Sequence, residues 1–431
     1  MNRAVLHITP VRALRGALRV PGDKSISHRY AMIGAIARGT TAVKHLAPGA
    51  DVAATVACLR ALGVEIETDG AGGMRVTGRG RRGLRPAAGA IDAANSGTTM
   101  RLLSGLVAAH PFRTTIAGDE SLARRPMRRV IDPLTAMGAR ISAVDSHAPL
   151  EIDGGDLTAI DWTTPVPSAQ VKSAILFAGL HANGTTSVRE PLATRDHTER
   201  MLRAFGIDLT IRGLGCSIAG GQEAVAPAGI QEVPGDPSSA AVWAAAAAAL
   251  PGSEVRLERV CLNPYRIGFV GALERMGAKI AVAPPDELCG EPVGTIQIAH
   301  GAHAETSIGP DEVPALIDEL PVLAARAALG GRLEVTGAGE LRVKESDRIS
   351  ALVTGFRQLG VDADERSDGF VITGGRRPRG GIVDAAGDHR LVMAFTLVGL
   401  GGSGLTTING AGAVAVSYPG FRDDLAALAT P

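Results

Sequence analysis

A helix that stops on glycine recurs five times along this 431-residue chain. The stops are Leu62-Gly63-Val64, Met137-Gly138-Ala139, Phe205-Gly206-Ile207, Met276-Gly277-Ala278 and Leu359-Gly360-Val361, each with glycine where a left-handed backbone would cap the helix. Successive stops lie 75, 68, 71 and 83 residues apart. Solenoid repeats run about 20–50 residues, so copies of this length read as small α/β units. In the first copy, residues 1–20 read as one short strand, Tyr30–Ala37 as a helix, Thr40–Val43 as a strand, Asp51–Leu62 as a helix and Glu65–Glu67 as a strand. The expected unit is strand, helix, strand, helix, strand, strand. A chain this long exceeds one ordinary core and points to two domains or one large repetitive one.

Any α/β chain ends some helices on glycine, and the repeat gains weight from how its copies begin. Pro21-Gly22-Asp23-Lys24-Ser25-Ile26-Ser27-His28-Arg29 opens the first helix, and Ala94-Asn95-Ser96-Gly97-Thr98-Thr99 opens the second copy. Val166-Pro167-Ser168-Ala169-Gln170, Pro234-Gly235-Asp236-Pro237-Ser238-Ser239, a fifth start near Pro314-Ala315-Leu316-Ile317-Asp318, and Gly387-Asp388-His389-Arg390 follow. Unpaired N–H groups and the helix dipole make such starts seats for phosphate or carboxylate. Six of them aimed at a common space would form a strong anion trap.

The overall charge places that trap locally. Lys+Arg and Asp+Glu balance at 44 each, which argues against a general nucleic-acid surface or an anionic-membrane binder. Cys58, Cys216, Cys261 and Cys289 are scattered, with neither zinc-knuckle nor redox spacing, and fit a reducing compartment. Met1–His7 lacks the apolar core of a signal peptide and the longest apolar run, Ala240–Leu250, is too short to span a bilayer. The chain therefore reads as soluble and cytoplasmic. No metal-ligand spacing, phosphate-binding P-loop or dinucleotide Gly-x-Gly-x-x-Gly appears.

A single surface arginine is usually just solvated. Here Lys24, Arg29, Arg125, Arg195, Lys344, Arg348 and Arg390 all stand at helix or loop beginnings with polar companions. Arginine meets carboxylate or phosphate as a bidentate fork, and lysine adds a point charge that can exchange a proton. Among the carboxylates, Asp318 follows an apolar run and is expected to be partly buried, while Glu345 stands between Lys344 and Arg348. A carboxylate held among cations can act as general base or acid. Without that setting the two would be a capping Asp and a solvated Glu. His28, His197 and His389 read as hydrogen-bonded supporting groups or surface residues.

Five motifs in order make the pattern specific: Pro21–Arg29, Ser168-Ala169-Gln170-Val171-Lys172-Ser173-Ala174, Thr194-Arg195-Asp196-His197-Thr198-Glu199, Pro234–Ser239 and Leu341-Arg342-Val343-Lys344-Glu345-Ser346-Asp347-Arg348. Together they resemble the 3-phosphoshikimate 1-carboxyvinyltransferase (EPSP synthase) family, and most closely its class II members. The resemblance implies a two-domain inside-out α/β barrel built from six βαβαββ repeats. Its first domain would combine residues 1–20 with 235–431 and its second would span 21–234, with hinge crossovers near 20–22 and 233–236. Closure on substrate would join the two sets of cations and exclude water.

The reaction implied is transfer of the enolpyruvyl group of phosphoenolpyruvate to the 5-hydroxyl of shikimate 3-phosphate, with release of phosphate and no metal or organic cofactor. By resemblance Asp318 accepts the hydroxyl proton, and Glu345 with Lys24 handles protonation. Lys24, Ser25, Arg29, Ser168, Ala169, Gln170, Arg195, Asp318 and Lys344 match shikimate 3-phosphate positions. Lys24, Asn95, Gly97, Arg125, Gln170, Arg348 and Arg390 match phosphoenolpyruvate positions. Many members carry a lysine before the Ser/Thr-Phe/Tyr-Pro sequence near the C-terminus, whereas Val416 precedes Ser417-Tyr418-Pro419 here. Gly97, where class II members can carry alanine, implies room for the inhibitor glyphosate. The protein is expected to be a monomer. A related UDP-N-acetylglucosamine enolpyruvyl transferase is disfavoured by Lys24-Ser25 and by a Gly118–Pro126 stretch without cysteine. RNA 3'-phosphate cyclase shares this kind of repeat, but balanced charge and the lack of a nucleotide motif count against it. A non-catalytic anion-binding scaffold would need the cations but not Asp318 and Glu345.

Overall fold

The computed structural model describes residues 4–283 and 285–430, so the Met1–Arg3 part of the N-terminal reading lies outside the described residues. The chain divides into two compact units. The first comprises the residues up to Pro21, Pro234–Asp286 and the residues from Pro292 onward, and the second comprises Gly22–Val233 with Glu287–Glu291. That last short segment, assigned by the sequence reading to the first domain, clusters with the second unit. Its Glu291 bonds His197 and its Gly290 carbonyl accepts from Arg200.

The second unit carries helices α1 (Lys24–Ile36), α2 (Ala50–Ala61), α3 (Gly97–Val107), α4 (Glu120–Ala123), α5 (Arg128–Ala136), α6 (Ala169–His181) and α7 (His197–Ala204). Its described strands form three four-stranded sheets. Strand Arg113–Ala117 pairs parallel with Ile91–Asp92 and antiparallel with His147–Asp153, and Thr185–Arg189 pairs parallel with Asp161–Thr163 and antiparallel with Gly215–Ala219. A parallel pair needs a helical crossover, which α3 and α6 supply, whereas antiparallel neighbours can be joined by short turns. Arg38–Lys44 has no strand ahead of α1 to pair with, because the chain enters the unit at Gly22. Ile230–Glu232, from the far end of the unit, fills that place in parallel register, Ile230 against Ala42.

The first unit carries α8 (Pro237–Ala249), α9 (Gly268–Arg275), α10 (Val313–Leu316), α11 (Leu320–Ala328), α12 (Arg348–Gln358), α13 (His389–Gly401) and α14 (Phe421–Leu428). Every residue of α8 and of α13 is buried, as expected of helices apolar on all sides. Trp243, Phe356 and Phe395 fill the core around them. Strands such as Glu305–Ile308 alternate buried with exposed positions, whereas Gly369–Thr373 is buried over four successive residues.

Two local expectations need correction. The single strand expected in residues 1–20 is two, Leu6–Ile8 paired antiparallel with Thr406–Asn409 and Ala13–Leu18 paired parallel with Glu254–Cys261. Pro10 between them has no N–H for a ladder and separates the two pairings. The fifth helix start is also displaced. The one-turn α10 ends at Leu316, and the longer helix, α11, begins after Glu319 with Pro321 in its first turn. Proline suits a first turn but cannot continue a helix, so the chain breaks between α10 and α11 and Asp318 sits in the break.

The glycine stops hold in detail. Gly63, Gly138, Gly206, Gly277 and Gly360 all have φ between 78° and 109°, the left-handed region that a β-carbon disfavours. Five polar openings carry a side-chain cap: Asp23, Ser96, Ser168, Asp236 and Asp388 each accept from a backbone N–H in the first turn. Helices α3 and α6 approach so closely that a β-carbon on Gly105 would stand 2.3 Å from the Ala174 carbonyl oxygen. A Gly105→Ala substitution must push the two helices apart, and overpacking of this kind costs about 1–3 kcal/mol. Urea unfolding should show an earlier loss of the second unit; an unchanged midpoint would mean that the contact yields freely.

Candidate active site

In the second unit the opening of α1 is fixed from within. Asp23 accepts from Ile26 N–H at 2.8 Å, and the Ser27 hydroxyl donates to the Asp23 carbonyl while accepting from Ala47 N–H at 3.0 Å. These bonds leave Lys24 at the first helical position, where its Nζ donates to Asp51 Oδ2 at 2.8 Å. Ser25 follows, half-buried. Arg29 is 2% exposed and donates to Thr198 Oγ1, Ser173 Oγ and the Ser25 carbonyl at 2.6, 2.8 and 2.8 Å. Three of its five N–H groups thereby serve the protein itself.

At the start of α3, Asn95 donates to Asp119 Oδ2 at 2.7 Å and accepts from Arg125 Nη2 at 2.6 Å. Gly97 follows on the same turn, and a β-carbon there would lie 2.7 Å from Arg101 Nη1 and 3.4 Å from Arg125 Nη1. Gln170, on the first turn of α6, donates to Thr98 Oγ1 at 2.9 Å and accepts from Arg101 Nη1 at 3.0 Å. Asn95, Gly97, Arg125 and Gln170 therefore form one neighbourhood. Ser168 caps α6 beside Ala169, and Arg195, half-buried, stands just ahead of α7.

In the first unit a single guanidinium organises the carboxylates. Arg348, 2% exposed, donates through Nε to Asp388 Oδ2 at 2.7 Å and through Nη2 to Glu345, and its Nη1 lies 3.6 Å from Asp318 Oδ1. Burial alone would lower the Arg348 pKa, but Asp388, Glu345 and Asp318 together raise it, so it stays charged. Asp318 and Glu345 keep side-chain exposures of 21% and 20%, which agrees with the partly buried Asp318 expected from sequence. Asp388 also accepts from Arg390 N–H at 2.9 Å and from the Ser346 hydroxyl at 3.1 Å. Arg348 Nη1 and Arg390 Nε are buried donors without a hydrogen-bond acceptor among the described residues. Lys344, next to Glu345 in sequence, pairs with Glu340 at 3.2 Å.

Sequence reasoning missed the partners. Asp51, Arg101 and Asp388 each hold a residue that it singled out, and Lys172 pairs with Glu190 and Glu199 inside the second unit. Only Lys172 left a clear signal, as a lone charge in the apolar run Val171–Leu180. The three histidines are all buried rather than on the surface. His28 Nδ1 lies 2.7 Å from Thr55 Oγ1, which continues through Thr99 to the α3 cap Ser96. Among the described residues no cluster of His, Cys, Asp and Glu is arranged to hold a metal, and no helix is long and apolar enough to cross a membrane.

Each unit carries capped helix starts and buried arginines, and the first adds partly exposed carboxylates, the make-up of an anion-handling α/β protein; the comparisons with known proteins say which. The sequence model of the EPSP synthase (3-phosphoshikimate 1-carboxyvinyltransferase) family matches residues 8–425. The chain is 48% identical over 426 residues to the 3-phosphoshikimate 1-carboxyvinyltransferase of Desulforudis audaxviator, covering 98% of this chain and 99% of that one. It is 47% identical over 415 residues to that of Acidithiobacillus ferrooxidans, covering 96% and 95%. A solved EPSP synthase from Acinetobacter baumannii superposes with a TM-score of 0.88 at 42% identity, covering 99% of this chain and 98% of that one. The chain belongs to the EPSP synthase family.

Burial lowers the His28 pKa to about 3 and the His181 pKa to about 4, so both rings are neutral in the folded protein. An unfolded histidine titrates near 6.5. The unfolded chain therefore takes up protons that the folded one refuses, and the stability present above pH 6.5 is lost as pH falls toward 4. Each imidazole contributes a slope approaching about 1.4 kcal/mol per pH unit below its unfolded pKa. Urea midpoints measured from pH 7 to pH 4 should fall, and His28→Asn should make the fall shallower; a parallel fall in the variant would contradict this account.

Proposed function

We propose that this chain transfers the enolpyruvyl group of phosphoenolpyruvate to the 5-hydroxyl of shikimate 3-phosphate. The observation that carries the reading is Arg348, buried among Asp318, Glu345 and Asp388, whose Nη1 is 3.6 Å from Asp318 Oδ1 and makes no hydrogen bond among the described residues. A buried unpaired donor is costly, and an anionic substrate group would satisfy it. With Arg390, whose Nε is in the same condition, it takes phosphoenolpyruvate, a role also proposed for Lys24, Asn95, Gly97, Arg125 and Gln170. Lys24, Ser25, Arg29, Ser168, Ala169, Gln170, Arg195, Asp318 and Lys344 take shikimate 3-phosphate.

Asp318, kept beside the Arg348 cation, accepts the proton of the 5-hydroxyl as its oxygen attacks C2 of phosphoenolpyruvate. Glu345 and Lys24 deliver a proton to the vinyl carbon, giving a tetrahedral intermediate. That carbon then returns a proton to Glu345 and phosphate departs with the proton that Asp318 took from the hydroxyl, which restores the double bond, so atoms and charge balance. No cofactor enters. Val416 supplies no charge, and the phosphate is held by the other cations. Of the places where the chain passes between the units, those at Pro21–Gly22 and Val233–Pro234 are proposed as its hinge, and the protein is proposed as a cytoplasmic monomer.

Incubation with both substrates should release inorganic phosphate, with Asp318→Asn and Lys24→Ala each about 10²–10⁴-fold slower, the usual worth of a positioned acid or base. No release by the native protein, or undiminished release by both variants, would overturn the assignment. Replacing shikimate 3-phosphate by UDP-N-acetylglucosamine tests the related transfer, and no release is expected.

Gly97 carries a second expectation. A methyl there would crowd the Arg101 guanidinium and bring Arg125 to contact distance, so glyphosate should inhibit the native enzyme at a concentration about tenfold or more below that needed for Gly97→Ala, the factor for roughly 1.4 kcal/mol. Equal inhibition of the two would remove that role from Gly97.

A further inference from the structure

We infer that the buried Lys172–Glu190 ion pair is a positioning device for shikimate 3-phosphate, setting Ser168 and the Thr194–Arg195 segment relative to each other; the inference rests on the function proposed above. Lys172 lies one turn into α6 from Ser168, and its Nζ stands 2.8 Å from Glu190 Oε2 and 2.9 Å from Glu199 Oε1. All three side chains are at most 7% exposed. Such a cluster is weak support for stability, since apolar side chains of similar volume often do as well or better. Its geometry suggests another use.

Glu190 holds both segments with one carboxylate. Its Oε1 accepts from the Ser168 N–H at 3.1 Å, and the Thr194 hydroxyl lies 2.8 Å from both of its oxygens. Glu199, on α7, is the other end of the tether: Arg195 stands between Thr194, bound to Glu190, and the helix that carries Glu199. The ammonium of Lys172 thus fixes the chain on both sides of Arg195 and ties it to the cap of α6. The same helix provides Thr198, which accepts from Arg29 Nε at 2.6 Å and shares a 2.6 Å hydrogen bond with Ser173. Lys172 and Arg29 balance Glu190 and Glu199 in charge. Burial works to lower the Lys172 pKa, but Glu199 and Glu190 outweigh it and raise it, so the ammonium stays charged, whereas burial raises the Glu199 pKa against the pull of Lys172.

A structural role alone would lower stability and depress every kinetic constant together. A positioning role predicts selective loss. The test measures shikimate 3-phosphate affinity by calorimetry without phosphoenolpyruvate, and steady-state KM for each substrate, in the full-length enzyme. Glu190→Gln and Lys172→Met should weaken shikimate 3-phosphate binding about tenfold or more and move KM for phosphoenolpyruvate less than twofold. Thr194→Val, which removes only the link from Glu190 to the Arg195 segment, should weaken binding severalfold, and Thr194→Ser should restore it. If the two charge variants fail to fold, the Thr194 pair decides. Wild-type affinity in Thr194→Val, or equal losses for both substrates, would overturn the inference. Absence of shikimate 3-phosphate binding by the native protein would instead overturn the proposed function.

Discussion

A helix buried on every side can offer only its ends to a ligand. In α8 and α13 every residue is buried, and α1 and α6 are buried over all but their first positions. Their side chains are consumed by packing and their free N–H groups must still be satisfied. Asp23, Ser168, Asp236 and Asp388 do part of this as caps. What remains is a set of helix starts where polar groups can be exposed without disturbing the core. Strands that alternate buried with exposed positions take up the opposite task of meeting water. Lys24, Gly97, Gln170 and Arg390 all lie within a few residues after such a cap.

The cations at these starts are held by carboxylates rather than left bare. Lys24 has Asp51, Lys172 has two glutamates, and Arg348 has three acidic neighbours. Unopposed positive charges clustered at low dielectric would repel one another strongly. Pairing removes that penalty and sets geometry, while leaving selected donors open. An anion entering such a site exchanges one partner for another, which favours a ligand whose charges match the open donors in position as well as in sign.

The sequence made the local features visible and hid the remote ones. Glycine stops were legible because a positive φ is written in a single residue, and Gly63 through Gly360 adopt it at all five positions. Caps were legible for the same reason. The split of residues 1–20 turned on Pro10, whose effect depends on two strands pairing with segments far along the chain. The start of α11 was misplaced because Pro314 and Pro321 are both acceptable first-turn residues, and only packing chooses between them. Asp388 was visible as a neighbour of Arg390 but not as the partner of Arg348, forty positions away. A pairing at that range has no local signature.

The manner in which each unit completes its sheets bears on how the chain acquires its structure. Ile230–Glu232 closes the first sheet of the second unit against Arg38–Lys44, so that sheet is unfinished until nearly the whole unit has been synthesised. The first unit waits longer still. Leu6–Ile8 pairs with Thr406–Asn409, and His7 and Thr407 are bonded across 400 residues of sequence. Contacts that distant slow folding, because the entropy of a large loop is lost before they form. A ribosome delivering this chain therefore releases one set of strands whose partners are present and another whose partners have yet to be made, and the latter must be kept from pairing elsewhere.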